Sequence, residues 1–127
     1  MSRKVKALVV DDNQDIAESF TNILRVLGHE AEFCTDPRAA LDQALQQRPN
    51  IVFLDIAMPH LNGYDVARSL RAHFPPDELC IVAITGHGDP RSRAESRRAG
   101  IDAHGIKPVD IDMLKTTIEV VCAQLKD

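Results

Sequence analysis

Charged and hydroxyl side chains follow directly after four apolar runs in this 127-residue sequence. They are, in chain order, Asp11 and Asp12, then Asp55, then Thr85, and finally Lys107. Any one of these residues, taken alone, is more simply interpreted as a turn former, a helix cap or an exposed charge. Three carboxylates, a hydroxyl and an ammonium at the same point of successive segments instead indicate a shared site.

The aspartates would repel one another if those segments end side by side. At about 4 Å, two like charges repel by roughly 4 kcal/mol at the effective dielectric near a protein surface. Such a cluster takes up protons or binds a cation. Carboxylate, carbonyl and water ligands suit Mg²⁺. A soft-metal site on His60, His87 and His104 is a poorer match, because no paired Cys or His has zinc spacing.

Asp55 is the candidate nucleophile. A divalent ion beside it would neutralise charge on an incoming phosphoryl group, and its carboxylate would then form an acyl phosphate. Lys107 is placed to meet phosphate oxygens as a point charge, and Thr85 to hydrogen-bond one of them. The main contributions of a protein to phosphoryl transfer are positioning and charge stabilisation, and these groups could supply both.

Five short apolar runs alternate with five stretches of helical periodicity. The runs that predict strands lie at 5–10, 30–34, 51–54, 80–84 and 103–106. The predicted helix boundaries are Gly28 after the first helix, Asp36 and Pro37 before the second, an Asn62–Gly63 turn before the third and Asp110 before the fifth. The predicted inner stripe of the fifth helix is Ile111, Leu114, Ile118, Val121 and Leu125. The alternation predicts an α/β fold, a doubly wound five-stranded parallel sheet with the site at its carboxyl edge.

The composition is that of one globular domain, with 44% apolar and 27% charged residues. Fifteen basic against nineteen acidic residues give a net charge of −4, which argues against a nucleic-acid binder. No apolar stretch has the length of a membrane span, and the amino terminus has no secretory signal pattern. Cys34, Cys80 and Cys122 have no metal or redox spacing, so we expect reduced core thiols in a cytoplasmic protein.

The whole chain resembles the receiver domain of two-component response regulators, the group that includes the chemotaxis response regulator. The matching residues are Asp11 and Asp12, Asp55 with Met58, Pro59 and Gly63 beyond it, Thr85 with Gly86, and Lys107 with Pro108. The resemblance implies a flavodoxin-like (βα)5 fold with strand order 2-1-3-4-5. We expect a single receiver domain over residues 1–127 and no output domain.

The resemblance also implies a role for each residue. Asp55 would accept a phosphoryl group from a phosphohistidine on a sensor histidine kinase, hybrid kinases included, or on a histidine phosphotransfer protein. The implied Mg²⁺ ligands are Asp11, Asp12, Asp55 and the backbone carbonyl of Ala57. Thr85 and Lys107 would bind the phosphoryl group. The chain would then be a phosphoacceptor with self-catalysed phosphotransfer rather than an enzyme, and it would signal to a downstream protein target.

Two positions depart from the family pattern. Thr85 would swing inward together with an aromatic side chain three residues before the lysine, but that position is His104. Imidazole is smaller, more polar and titrates near neutral pH, so we hypothesise an altered switch in which His104 moves between exposed and buried states. Ala57 and His87 flank the acceptor. Ala57 has no polar group to steer water, so we expect slow autodephosphorylation.

Two helices raise the question of partner contact. Residues 90–99 are rich in arginine and have few apolar anchors, which fits either a solvated helix or a surface for an acidic partner. Ile16, Ala17 and Phe20 on the first helix are predicted to be mostly core. The family's kinase-docking surface lies around that helix, so one of the three is expected to be exposed.

Three other functions compete with the signalling receiver. A phosphorelay intermediate or phosphate sink would pass its phosphoryl group to a histidine phosphotransfer protein. A Mg²⁺-dependent phosphatase with an aspartyl nucleophile commonly has an Asp-x-Asp motif and a substrate-covering cap, whereas here Asp11 and Asp12 are adjacent and we expect no room for a cap. A flavodoxin-like binding module does not explain acidic residues where a flavin phosphate would need donors.

Overall fold

A computed structural model describes residues 4–58, 61–86, 90–107 and 109–125 of the chain. Its main sheet has five parallel strands in the order β2-β1-β3-β4-β5, as predicted. The strands are β1 (Lys6–Val10), β2 (Glu30–Cys34), β3 (Ile51–Asp55), β4 (Cys80–Thr85) and β5 (Ala103–Ile106). A separate two-stranded antiparallel ladder pairs Ala57–Met58 with Leu61–Asn62, directly after β3.

Five helices connect and cover the strands. They are α1 (Gln14–Val26), α2 (Ala40–Gln47), α3 (Gly63–His73), α4 (Pro90–Arg98) and α5 (Ile111–Cys122). Alternate strand residues point to opposite faces of the sheet, and helices cover both faces. One core joins one set of strand side chains to α2, α3 and the end of α4, and the other joins the second set to α1 and α5. The predicted doubly wound fold is confirmed. Within the described residues, no helix has the length and apolar character needed to cross a membrane.

The helix ends follow local chemistry that the sequence displays. Gly28 has a φ of +95° after α1, the left-handed conformation expected of it. Asp110 accepts a hydrogen bond from Met113 N, which confirms it as the cap of α5. Asp36 also caps as expected, but it caps a 3₁₀ turn over Pro37–Ala39 that precedes α2.

Two predicted details of the helices are wrong. Asn62 is not part of a free-standing turn: its side chain accepts a hydrogen bond from Tyr64 N and caps α3, which begins at Gly63. Ile111 is 46% exposed, because the first residue of α5 lies at the rim of the sheet, where its side chain does not reach the core. Leu125 is buried as expected, although α5 itself ends at Cys122.

The amino edge of the sheet is held together by one arginine that the sequence did not reveal. Arg71, in the last turn of α3, donates to the backbone carbonyls of Phe74, Leu79 and Gly100. Its Nη2 also lies 2.6 Å from Asp102 Oδ2, and the two side chains are only 17% and 14% exposed. Because Asp102 Oδ2 accepts from the backbone N–H of Ile81 as well, this ion pair ties α3 to the sheet and to the segment between α4 and β5.

Candidate functional site

The sheet register brings the predicted site residues to one edge. Val10 of β1 lies opposite Leu54 of β3, so Asp11 and Asp55 are neighbours at the ends of adjacent strands. On the far side of β3, the backbone N–H of Lys107 donates to the carbonyl of Thr85. The four segments therefore deliver their polar residues to the same end of the sheet, as the parallel arrangement requires.

The three aspartates form a compact acidic cluster. Asp11, Asp12 and Asp55 each offer a carboxylate oxygen, and these oxygens all lie within 4.8 Å of one another. Asp11 and Asp55 are each 4% exposed, whereas Asp12 is exposed to solvent. Two charges of like sign are therefore held close together under the protein surface, and the third lies at its rim.

Backbone donors fix the two buried carboxylates. Asp11 Oδ1 accepts from Asn13 N at 2.9 Å, and Asp55 Oδ1 accepts from Ala57 N at 3.0 Å. In each case the donor is two residues further along the chain, which is the pattern of an Asx turn. Sequence reasoning missed these two donors, although an aspartate at the end of a strand is the usual signal for such a turn.

Lys107 is the cation of the cluster. Its Nζ lies 3.2 Å from Asp55 Oδ2 and 3.8 Å from Asp11 Oδ2, and its side chain is 33% exposed. Lys107 thus lies beside two of the carboxylates, and its role in binding phosphate oxygens stays a prediction. Among the described residues, one ammonium faces three carboxylates, which leaves an excess of negative charge.

The pKa of Asp11 reflects its burial and the negative charge around it. Burial raises it above the ordinary value of 3.8, and the nearby Asp55 and Asp12 carboxylates raise it further. The Asn13 N–H and the Lys107 ammonium lower the pKa but do not cancel these effects. The site as it stands thus favours uptake of positive charge.

A hard divalent cation fits this donor set. Three carboxylate oxygens within 4.8 Å of one another offer only oxygen ligands, which Mg²⁺ prefers. Burial and, to a smaller extent, the neighbouring carboxylates raise the pKa of Asp11, and a bound cation would oppose that rise. Of the histidines considered for a soft-metal site, His104 lies on β5 and not in the cluster, and His60 and His87 lie outside the described residues.

Comparison with known proteins identifies the family. The response regulator receiver domain matches residues 7–119. The chain belongs to the response regulator receiver domain family. Receiver domains are phosphoacceptor signalling domains rather than classical enzymes, they bind Mg²⁺ at an acidic pocket, and response regulators are phosphorylated by histidine kinases.

Curated relatives of this receiver domain are longer proteins. Response regulator MprA of Mycolicibacterium vanbaalenii is 36% identical over 110 residues, which are 87% of this chain and 47% of that protein. The probable transcriptional regulator ycf27 of Galdieria sulphuraria is 31% identical over 121 residues, 95% of this chain and 46% of that protein. The chain spans about half the length of the curated relatives it matches.

Solved structures show the same receiver architecture. The chemotaxis protein CheY4 of Vibrio cholerae superposes with a TM-score of 0.86 at 26% identity, over 94% of this chain and 99% of that one. NtrX of Brucella abortus gives a TM-score of 0.85 at 30% identity, over 95% of this chain and 27% of its own. The sheet order and the position of the acidic edge are thus those of a receiver domain.

The remaining predicted residues surround the receiver's acidic cluster. Thr85 ends β4 and is half-buried, and exposed Ala57 directs its backbone N–H at Asp55. Gly63 lies so close to the cluster that an added Cβ would sit 2.9 Å from Ile56 Cα, which explains why glycine begins α3. His104 is half-buried on β5 and pairs in register with Ala83. It lies next to the core beneath α4 rather than among the aspartates.

Two other predictions can be compared with the receiver structure. Ile16 on α1 is 42% exposed, whereas Ala17 and Phe20 are buried, so one of the three is exposed as expected. Arg97 and Arg98 on α4 are exposed. The side chains of Arg91 and Arg93 are not among those that the structure describes. Of the cysteines, Cys34 and Cys80 lie in the core, whereas Cys122 is half-buried.

Proposed function

We propose that this receiver domain carries a signal as an acyl phosphate on Asp55. The observation that supports the proposal is the setting of that carboxylate, which is 4% exposed, held at Oδ1 by Ala57 N and met at Oδ2 by Lys107 Nζ. A buried carboxylate with both oxygens oriented is suited to nucleophilic attack rather than to surface solvation.

The donor is the phosphohistidine of a histidine kinase. One carboxylate oxygen of Asp55 attacks phosphorus, the P–O bond forms, the P–N bond to imidazole breaks, and the leaving ring nitrogen keeps the electron pair. Mg²⁺, held by Asp11, Asp12, Asp55 and the Ala57 carbonyl, would supply charge neutralisation for the phosphoryl oxygens. Lys107 would pair with one of those oxygens, and the Thr85 hydroxyl would donate to another.

The phosphoryl group would then alter a protein-docking surface. Thr85 and Lys107 are joined by a backbone hydrogen bond, so a change at the phosphoryl site reaches β5 directly. His104 lines a cavity of about 470 Å³ with Arg97, Ile101 and Asp102, which gives the imidazole room for a second rotamer. We propose that this movement replaces the aromatic switch of the family. An unchanged His104 rotamer in resting and phosphorylated forms would refute it.

Phosphorylation is tested by incubating the protein with acetyl phosphate and Mg²⁺ and measuring the intact mass. The wild type is expected to gain one phosphoryl group, and Asp55→Asn none. Asp112→Asn, which changes an exposed aspartate in the first turn of α5, serves as the matched control and should still be modified. A wild type that gains no phosphoryl group, or an Asp55→Asn variant that gains one, would contradict the proposal. Multiple turnover of free phosphoesters would instead indicate a phosphatase.

A further inference from the structure

An apolar groove of about 530 Å³ opens beside the acidic cluster. Phe53 and Ile84 of the sheet form part of its floor, and Ile16 and Ile23 of α1 and Val109 after β5 form its walls. Ile16 is 42% exposed and both Ile23 and Val109 are half-buried, so apolar surface remains open to solvent along the groove. The volume lies within the range of about 300–1,000 Å³ typical of small-molecule sites.

The charges on the groove all lie toward one end. Asp11 and Asp55 reach it from the ends of the strands, and Asp15 reaches it from the first turn of α1. Lys107 is the only cation among the residues that line the groove in the described part of the chain. Three carboxylates and one ammonium leave an excess of two negative charges beside an apolar body, which disfavours anions and favours an amphiphilic cation.

We propose that this groove binds a small organic cation with an apolar body, namely an aryl- or alkylammonium. The aromatic or alkyl part lies over Phe53 and between Ile23 and Val109, and the ammonium group lies among Asp11, Asp15 and Asp55. Burial of apolar surface supplies the affinity, and the carboxylates select the charge. The head group would occupy the region where a divalent cation is proposed to bind, so the ligand and Mg²⁺ would compete.

This ligand site goes beyond phosphoacceptance and does not depend on it, because binding is measured without any phosphodonor. Occupation of the groove would give the receiver a second input: a small cation that lowers the fraction of protein ready for phosphorylation. The groove lies beside Asp55, and the exposed residues Ile16 and Ser19 of α1 line it, so a ligand can enter from solvent without unfolding the core.

The test is an amide-detected NMR titration of the full chain with 4-phenylbutylammonium. Its uncharged counterpart 4-phenylbutanol and the anion 4-phenylbutanoate are the matched probes. We expect the ammonium to shift signals of Ile16, Ile23, Ile84 and Val109, with the alcohol at least fivefold weaker and the anion weaker still. Saturating Mg²⁺ should reduce the affinity for the ammonium. Equal affinity for the three probes, or shifts elsewhere only, would overturn the proposal.

Variants separate the charge from the cavity. Asp15→Asn removes one exposed carboxylate and should weaken ammonium binding about two- to fivefold, the scale of an exposed charge pair. Ser19→Trp places an indole in the groove and should abolish binding, whereas Asn22→Trp, on an exposed position of the same helix that does not line the groove, should not. Undiminished binding of the ammonium to a folded Ser19→Trp protein would exclude this groove as the binding site. Loss of phosphorylation alone would refute the proposed phosphoacceptor function and not the ligand site.

Discussion

The Asp11→Asn substitution tests the electrostatics of the acidic cluster directly. At 4.8 Å, the largest separation between the carboxylate oxygens, Asp55 repels Asp11 by about 3.5 kcal/mol at an effective dielectric of about 20. Lys107, at 3.8 Å, attracts Asp11 by about 4.4 kcal/mol on the same scale. The difference, about 0.9 kcal/mol in favour of the Lys107 pair, is offset by repulsion from exposed Asp12, about 0.9 kcal/mol at the dielectric of water. What remains is the cost of burying the charge.

The substitution should therefore stabilise the protein when divalent ions are absent. An asparagine at position 11 has almost the same shape and keeps an oxygen for the Asn13 N–H, but it carries no charge. We expect the free energy of unfolding to rise by about 1–2 kcal/mol at pH 7 in EDTA. If Mg²⁺ binds as proposed, we also expect most of the stabilisation that it gives the wild type to disappear, because a proposed ligand has been removed.

The pH dependence has a defined sign. The pKa of Asp11 is raised in the folded state, so the folded protein binds this proton more tightly than the unfolded chain does. Its contribution to stability is then lost as the pH rises above the ordinary value of 3.8 and through the folded pKa. The advantage of Asp11→Asn should accordingly be absent near pH 3.5 and grow toward neutral pH.

The assay is urea unfolding followed by far-ultraviolet circular dichroism, since the chain has one tyrosine and no tryptophan. Wild type, Asp11→Asn and the control Asp112→Asn are compared in EDTA and in Mg²⁺. The control should match the wild type within about 0.5 kcal/mol under both conditions. An Asp11→Asn protein that is less stable than the wild type in EDTA would show that Lys107 outweighs the carboxylates, and the reasoning would fail.

Substitutions at three further positions test other parts of the structure. Arg71→Ala should lower the free energy of unfolding, measured in urea, by about 3 kcal/mol, because it leaves the largely buried Asp102 carboxylate without its cation. Arg71→Lys should recover less than half of that loss. His29 accepts a hydrogen bond from a backbone N–H, and burial and Lys4 lower its pKa, so the wild type should lose stability relative to His29→Gln as the pH falls below 6.5. Ala57→Asn should speed loss of the phosphoryl group about two- to tenfold, because one added hydrogen bond to the attacking water has an effect of about that size. Mass spectrometry over time measures the loss.

The strands and the site residues were predictable because their signals are local. Each strand is a short apolar run, and the parallel order places its last residue at one edge regardless of side-chain detail. Asp11, Asp55 and Lys107 accordingly lie together as the pattern indicates. Asp110 was recognisable as a cap for the same reason, since a cap acts on residues two or three positions away.

Most of the errors and omissions, Asn62 excepted, concern contacts between distant residues. Helical spacing placed Ile111 on the inner stripe of α5, but spacing does not show where the sheet ends beneath it. Arg71 meets Asp102, 31 positions away, and nothing in either local sequence marks that pair. The groove depends on how far α1 stands from Val109, which is set by packing of the whole domain. Asn62 was misassigned because turn and cap residues have the same chemistry.

The two edges of the sheet carry opposite electrostatic arrangements. At the amino edge, Asp102 pairs with Arg71 and accepts hydrogen bonds from Ile81 N and Gln124, so its charge is matched within a fixed network. At the carboxyl edge, Lys107 faces more negative charge than it can match. The first arrangement stabilises the fold whatever is bound, whereas the second becomes favourable only when positive charge arrives. Binding of a cation can therefore alter the carboxyl edge while the amino edge keeps the domain folded.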